Sequence, residues 1–188
     1  MKHHIMWDLE TFGVRRQSII WSIGAVKFTK DGVVERFQVG VDPKDVERYG
    51  GKIDAATFEY WMQDKMSAAR ANYGKLPKVD LHSALMGLTD WIELPADSAG
   101  QLIDDYEVGS AFGKGSTFDN VLLKDAYDMA GLEYPLSYRQ DECYRTIANR
   151  FPDIEYVQLG VAHDSLDDAM SQTDHLLRIA AVCPGLVL

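Results

Sequence analysis

Covalent staples are nearly absent from this chain. Its 188 residues hold two cysteines, Cys143 and Cys183, with no CxxC pair and no other metal-ligand spacing. That excludes a disulfide-framed secreted scaffold and a thiolate zinc site, and leaves two reduced thiols in a cytoplasmic protein as the expectation. Positive charge is also scarce. Nineteen Lys and Arg against 29 Asp and Glu give a formal net charge of -10. A protein that coats nucleic acid needs many cations against phosphates, so that class is excluded. An enzyme that meets nucleic acid at one small site through bound cations is not excluded, and a carboxylate-built metal site would itself add to the acidity. No apolar run approaches the roughly 18–20 residues of a membrane span, so no membrane partner is expected. The start, MKHHIMWDLE, is not read as a signal peptide, because acids interrupt it before an apolar core forms. There is no internal repeat and no low-complexity segment.

What remains is ordinary globular material, 46% hydrophobic and 26% charged. The length predicts a single domain over 1–188 with a real core. Residues 3–9, with His3 and His4 at their start, read as a buried strand ending at Asp8. SIIWSIGAVKF (18–28) is β-branched and apolar, and the turn KDG (30–32) leads into the alternating VVERFQVGV. These make a three-stranded meander. Residues 41–53 read as a loop. Asp54 caps a helix to about Met66, with Phe58, Trp61 and Met62 on one face. SAARANYG is a second helical piece closed by Gly74, and Leu81, Leu85, Leu88 and Ile92 mark an amphipathic helix. A polar loop over 95–104 follows, then a strand at 107–112 and a helix over 119–130. A short strand near Tyr138 and a helix over 141–150 come next. A last helix runs from Ser165 to about Val182, with its apolar stripe at Leu166, Ala169 or Met170, Thr173, Leu177 and Ala180. The fold class is α/β: a meander feeding βα units into a mixed sheet with helices on both faces.

Three stretches hold candidate chemistry. In IMWDLETFG, Asp8 and Glu10 lie two apart on an apolar strand, so both point to one face. Adjacent carboxylates repel and lose solvation there, and a hard divalent cation is the natural compensation. The bland alternative is a solvated strand end. In FGKGSTFDN, Asp119 follows a Gly-rich turn and opens a helix, where an Asp is usually just a cap. In HDSLDDA, an imidazole precedes three acids, Asp164, Asp167 and Asp168. Acids favour a helix start, and Ser165 with Asp168 fits a weak capping box. Periodicity puts Asp164 and Asp168 roughly opposite the apolar stripe and Asp167 at its flank, and does not choose among them.

Taken in order, DLET, then SxFDN after a Gly-rich turn, then a histidine followed five positions on by an aspartate, the chain resembles the DEDDh exonucleases. These are metal-dependent 3′→5′ exonucleases of RNase H-like fold. The resemblance spans nearly the whole chain. SIGAVKF, TFEYWMQDKMSAAR, FGKGSTFDN and HDSLDDAMSQ are most similar to phage DexA-type exonucleases and mycobacterial-type small exoribonucleases. It implies Asp8, Glu10, Asp119 and Asp168 as ligands of two divalent cations, Mg²⁺ or Mn²⁺, and His163 as the general base. Asp164 and Asp167 are then helix-start acids. YRQDECYRT (138–146) matches the family's Arg-Asp-x-Arg-Thr segment only loosely, which leaves Arg139 and Arg145 without a role.

The resemblance further implies a single-stranded 3′ end as substrate, RNA or short overhangs ahead of DNA, and release of nucleoside 5′-monophosphates. It also implies a homodimer in a bacterial or phage-infected cell. Thr11, Phe12, Gly13, Trp61 and Phe118 are the candidates for the terminal nucleotide, through backbone approach or stacking. For Trp61 and Phe118, core packing is the competing role. Lys114 is read as a phosphate contact or, more simply, a solvated loop lysine. A catalytically silent exonuclease-like domain that binds nucleic acid or a partner is the main rival, and the filling of all five motif positions argues against it. The His163-Asp164 pair resembles the HD phosphohydrolases, but His82 and His175 lack their pattern.

Overall fold

The computed structural model describes residues 2–94 and 106–183. The loop expected over 95–104 lies outside them. The meander is present: β1 (Lys2–Thr11), β2 (Ile20–Thr29) and β3 (Gly32–Val41) pair antiparallel in sequence. β1 continues past Asp8, so both acids of the first motif sit inside the strand. The segment expected as a loop after β3 contains α1 (Pro43–Arg48), opened by Pro43 and capped by Asp42, which accepts from the Lys44 N–H. Asp54 caps α2 (Ala55–Met62) by accepting from the Thr57 N–H. The helix ends at Met62, and a 3₁₀ turn covers Asp64–Met66. Only Trp61 of its three supposed face residues is buried; Phe58 and Met62 are 44% and 48% exposed. α3 (Ser67–Lys75) runs through Gly74, and β4 (Lys78–Val79), a strand too short to show periodicity, pairs parallel with β3.

α4 (Leu81–Glu93) buries Leu81, Leu85, Leu88 and Ile92 as their spacing predicts. β5 (Glu107–Gly113) then lies parallel to β1, and α5 (Asp119–Ala130) follows. The short strand expected near Tyr138 is β6 (Asp141–Cys143), preceded by a 3₁₀ turn over Tyr138–Gln140. Residues 141–143 are therefore extended, because they complete the sheet edge beside β5, and α6 covers only Tyr144–Ala148. α7 spans Ser165–Val182. The sheet order is β4-β3-β2-β1-β5-β6. Ile5, Trp7 and Leu9 pack on α4 and α5, while Met6 packs on α6 and α7. Helices thus cover both faces of a mixed sheet, in agreement with the sequence. Cys143 and Cys183 are both free thiols. No described helix is long and apolar enough to cross a membrane.

The face of α7 differs from expectation. Its buried residues are Ser165, Asp168, Ala169, Gln172, Leu176 and Ile179 among others, a stripe rotated from the one predicted and partly polar. The rotation has a steric cause. The start of α7 lies directly on β2 at Gly24, where a Cβ would stand 2.2 Å from the Ser165 carbonyl carbon. Ser22 and Ser165 hydroxyls bond at 2.6 Å beside it. The Ser165 hydroxyl is thus bonded to β2, and the first helical N–H groups are capped by Asp164 instead, so the expected Ser165–Asp168 capping box does not form. Gly24→Ala should cost about 1–3 kcal/mol or more, because backbone must move. Urea unfolding measures it, and a variant of wild-type stability would refute the close contact.

Candidate active site

Asp8 and Glu10 point from β1 toward α7, and both are buried in the sheet. Asp119 opens α5, after the turn that follows β5, the parallel neighbour of β1. It is not a simple cap. Phe118 holds the cap position without a side-chain bond, and Asp119 Oδ1 accepts from the Leu9 N–H at 3.3 Å, across to β1. Gly113 makes this turn sterically feasible, since a Cβ there would lie 2.5 Å from Asn120 Oδ1. Asn120 locks the corner. Its amide donates to the Ala111 carbonyl and Asp141, and its Oδ1 accepts from Trp7 Nε1 at 3.0 Å.

The three acids of HDSLDDA do three things. Asp164 caps α7, accepting from the Leu166 and Asp167 N–H groups, and also accepts from Gln38 and Asn72. Asp167 anchors the preceding loop by accepting from the Val161 N–H at 2.7 Å. Its carboxylate fills the space a Cβ on Gly160 would need. Asp168 alone turns inward. Glu10, His163 and Asp168 each offer one ligand atom, all within 4.8 Å of one another.

His163 sits on the loop before α7 with φ at 63°, a left-handed conformation uncommon for a residue with a Cβ. Three contacts hold it. Its N–H donates to Asp168 Oδ2 at 3.2 Å, its Nε2 bonds the Tyr60 hydroxyl at 2.8 Å, and its ring meets Tyr60 and Trp61 edge-on. Tyr60 was not singled out in the sequence. Two amides were also missed: Gln172 donates to Asp8 Oδ1 and Gln158 to Asp168 Oδ1, both at 2.7 Å. Gln172 had a signal, lying four residues after Asp168 on the same helical face.

The electrostatics are those of an anion cluster short of cations. Burial, then Asp119 and Asp168, push the Asp8 carboxyl well above its ordinary range. Burial, then Asp8, Asp168 and Asp119, raise Glu10 likewise. Burial lifts Asp119 to about 7 against the pull of the Leu9 N–H and Arg145. His163 is lowered by burial, although Asp168 pulls it up, and so is poised neutral. Glu10 Oε1 is buried without a hydrogen-bond partner among the described residues. Carboxylate oxygens, one imidazole and an orphaned buried oxygen fit hard divalent cations.

The cluster floors a cleft of ≈ 640 Å³. Thr11, Trp61 and Phe118 line it, as do Lys114 and Arg145. Trp61 is 2% exposed, and its indole donates to the Thr11 carbonyl, so it supports the floor and offers no stacking face. Phe12 and Gly13 are not among the lining residues. Phe12 packs on Trp21 at 4.8 Å, and a Cβ on Gly13 would meet Ser18 Oγ at 2.5 Å, so this glycine serves packing. Arg139 lies away from the cleft over the Tyr138 ring.

Residues 3–180 match the family model described as the 3'-5' exoribonuclease Rv2179c-like domain. No curated protein matches the chain. Among solved structures, E. coli ExoI in a zinc-bound complex with ssDNA aligns at TM-score 0.67 and 10% identity, over 98% of this chain and 42% of that one. This chain thus spans less than half of ExoI. The nuclease domain of 3'hExo, a DEDDh family member bound to rAMP, aligns at TM-score 0.62 and 13% identity, over 97% and 92%. S. pombe Pop2p with Mg²⁺ and Mn²⁺ aligns at 0.58 and 12%, over 95% and 82%. The RNase H-like fold is shared with all three.

A raised carboxyl means that the folded state keeps protons the unfolded chain releases above about pH 4. Cation-free stability contributed by these groups should therefore fall as pH rises from about 4 through the folded value, about 7 for Asp119. Mg²⁺ or Mn²⁺ should raise the melting temperature more at pH 8 than at pH 5, since protons compete for the same oxygens. Calorimetry with and without ion checks this. An equal ion effect at both pH values would contradict the buried acid cluster.

Proposed function

We propose that this chain, which belongs to the Rv2179c-like 3'-5' exoribonuclease domain family, is a 3′→5′ exonuclease that removes single nucleotides from the 3′ end of single-stranded RNA, with DNA a slower substrate. The RNase H-like fold shared with ExoI and 3'hExo supports the reading, as does the family's description as an exoribonuclease. One observation carries it: Glu10, His163 and Asp168 converge beside Asp8 and Asp119 on the floor of an open cleft.

Asp8, Glu10, Asp119 and Asp168 would hold two divalent cations, which when bound supply Lewis-acid activation of the attacking water and charge stabilisation of the leaving oxygen. The chain's own residues do the rest. His163, kept neutral by burial, accepts the proton of the attacking water. The Tyr60 hydroxyl fixes its ring, and Asp168 holds its backbone. Water oxygen bonds to the last phosphorus, the bond to the 3′-oxygen of the preceding nucleotide breaks, and that oxygen takes a proton. A nucleoside 5′-monophosphate leaves. Thr11 and Phe118 line the cleft beside the terminal nucleotide.

The test is a gel assay of 5′-labelled RNA and DNA of equal sequence with Mg²⁺, Mn²⁺ or EDTA. A ladder shortening from the 3′ end, faster on RNA and abolished by EDTA, is expected. Asp168→Ala should abolish it. Asp167→Asn, which keeps an acceptor for the Val161 N–H, should remain active. His163→Ala should slow it about 10²–10⁴-fold. An active Asp168→Ala enzyme would remove that residue from the site, and no ladder from the wild type would refute the exonuclease reading.

A further inference from the structure

Glu10 stands between two hollows. One is the cleft. The other is a cavity of ≈ 10 Å³ whose wall includes Glu10, Trp21, Ser22, Asp164 and Ser165. One water molecule needs about this much room, roughly 10–15 Å³, and two to four polar partners. Two residues of the wall each carry a buried polar atom without a hydrogen-bond partner among the described residues: Glu10 Oε1 and Trp21 Nε1. The residues themselves are 7% and 5% exposed. The two atoms are complementary, since a water accepts from an indole N–H and donates to a carboxylate.

Trp21 reaches this wall through an irregularity of the sheet. Glu10 pairs with Ser22 and Thr11 with Ile20, so Trp21 is the extra residue of a bulge in β2. Regular alternation would turn it away from Ser22, into the large core that holds Ile20 and Ile23. It packs instead with Trp61, Met66 and Ala69. The ring is clamped, with the Tyr73, Trp61 and Phe12 centroids at 4.2, 4.5 and 4.8 Å. Packing accounts for the ring but not for a buried N–H, which a phenylalanine would not carry. The neighbouring indoles of the site are both bonded: Trp7 donates to Asn120 Oδ1 and Trp61 to the Thr11 carbonyl.

The acids show the same asymmetry. Asp8 accepts from Gln172, Asp119 from the Leu9 N–H, and Asp168 from Gln158 and the His163 N–H. Among the described residues, Glu10 is the one acid of the four with no direct donor. We propose that a single water fills the small cavity, accepting from Trp21 Nε1 and donating to Glu10 Oε1, and that Trp21 is thereby a positioning residue for Glu10. A carboxylate oxygen has two lone pairs, so this bond leaves Glu10 free to ligate a cation beside His163 and Asp168. The positioning role rests on the cation site proposed above; the water bridge does not.

The test separates the two. Trp21→Phe keeps the ring and removes the N–H. The chain has four tryptophans, and the indole N–H signal that this variant loses from the ¹⁵N spectrum is that of Trp21. In the wild type that N–H should show a nuclear Overhauser cross-peak to a water that tumbles with the protein. The signal should shift in Glu10→Ala, while that of Trp91, on α4, stays in place. Calorimetric titration with Mn²⁺ should show affinity about 10-fold weaker in Trp21→Phe than in the wild type. A merely structural Trp21 would give neither the cross-peak nor the response to Glu10→Ala. Both are read without Trp21→Phe once the indole signals are assigned sequentially, so they decide should that variant fail to fold. No water at the Trp21 N–H, or a signal indifferent to Glu10→Ala, overturns the bridge and leaves the exonuclease reading standing. Unchanged Mn²⁺ affinity in Trp21→Phe overturns the positioning role. A wild type that binds no Mn²⁺ overturns the cation site and that role with it.

Discussion

Four carboxylates sit where water barely reaches, on and beside the central strand of an apolar sheet. Asp8, Glu10, Asp119 and Asp168 are each at most 7% exposed. Burial disfavours the charged forms of Asp8, Glu10 and Asp119, and the neighbouring acids disfavour those of Asp8 and Glu10 further. The opposing pull of Gln172 and Lys114 on Asp8, and of the Leu9 N–H and Arg145 on Asp119, does not outweigh it. The groups that touch them are neutral donors: the amides of Gln172 and Gln158 and the N–H groups of Leu9 and His163. Such donors orient carboxylates without neutralising them. The cluster is thus held in a geometry that suits cations and at a charge that is costly without them.

The backbone makes the arrangement possible by the alternation of β1 and two close approaches. β1 places Asp8 and Glu10 on one face through its period of two, while Trp7 and Leu9 fix the opposite face in the larger core. The turn after β5 carries Asp119 beside β1 only because Gly113 leaves room for the Asn120 and Asp119 side chains. The start of α7 reaches the sheet only because Gly24 has no side chain there. The Leu9–Asp119 and Gly24–Ser165 contacts join segments more than a hundred residues apart. The site therefore forms only with the complete sheet, and strand register and site geometry are one property.

That dependence explains what the sequence could and could not disclose. The meander, the amphipathic helix at 81–92 and the span of α7 follow from local periodicity, and the structure has them. The pairing of Asp8 with Glu10 follows from the same rule. Which acid of HDSLDDA turns inward does not. An apolar-stripe argument placed Asp168 opposite the core, yet the buried face of α7 carries Ser165, Asp168 and Gln172 because it meets polar groups of β1 and β2. The choice came from likeness to the DEDDh pattern. Tyr60, Gln158 and Asn120 left no local trace, since their partners are distant in the chain or, for Gln158, across a loop of irregular backbone. Phe12 and Gly13 stand off the cleft lining for a related reason: a motif tells which residues recur together and not which of them pack inward.

Asp168 carries more than a ligand's duty. Its Oδ2 accepts from the His163 N–H, so the carboxylate proposed to hold an ion also holds the left-handed residue proposed to act as base. Its Oδ1 accepts from Gln158, five residues before His163 in the same loop. A carboxylate oxygen has two lone pairs, so each can serve a donor and a cation together. Asp167 could not exchange places with it, being bonded to the Val161 N–H in the middle of that loop. One acid holds Val161 and the next holds Gln158 and His163 on either side of it. The crowding of charge beside the imidazole is therefore a division of labour, in which the acid bonded to Gln158 and His163 is also the one of the three that faces Glu10.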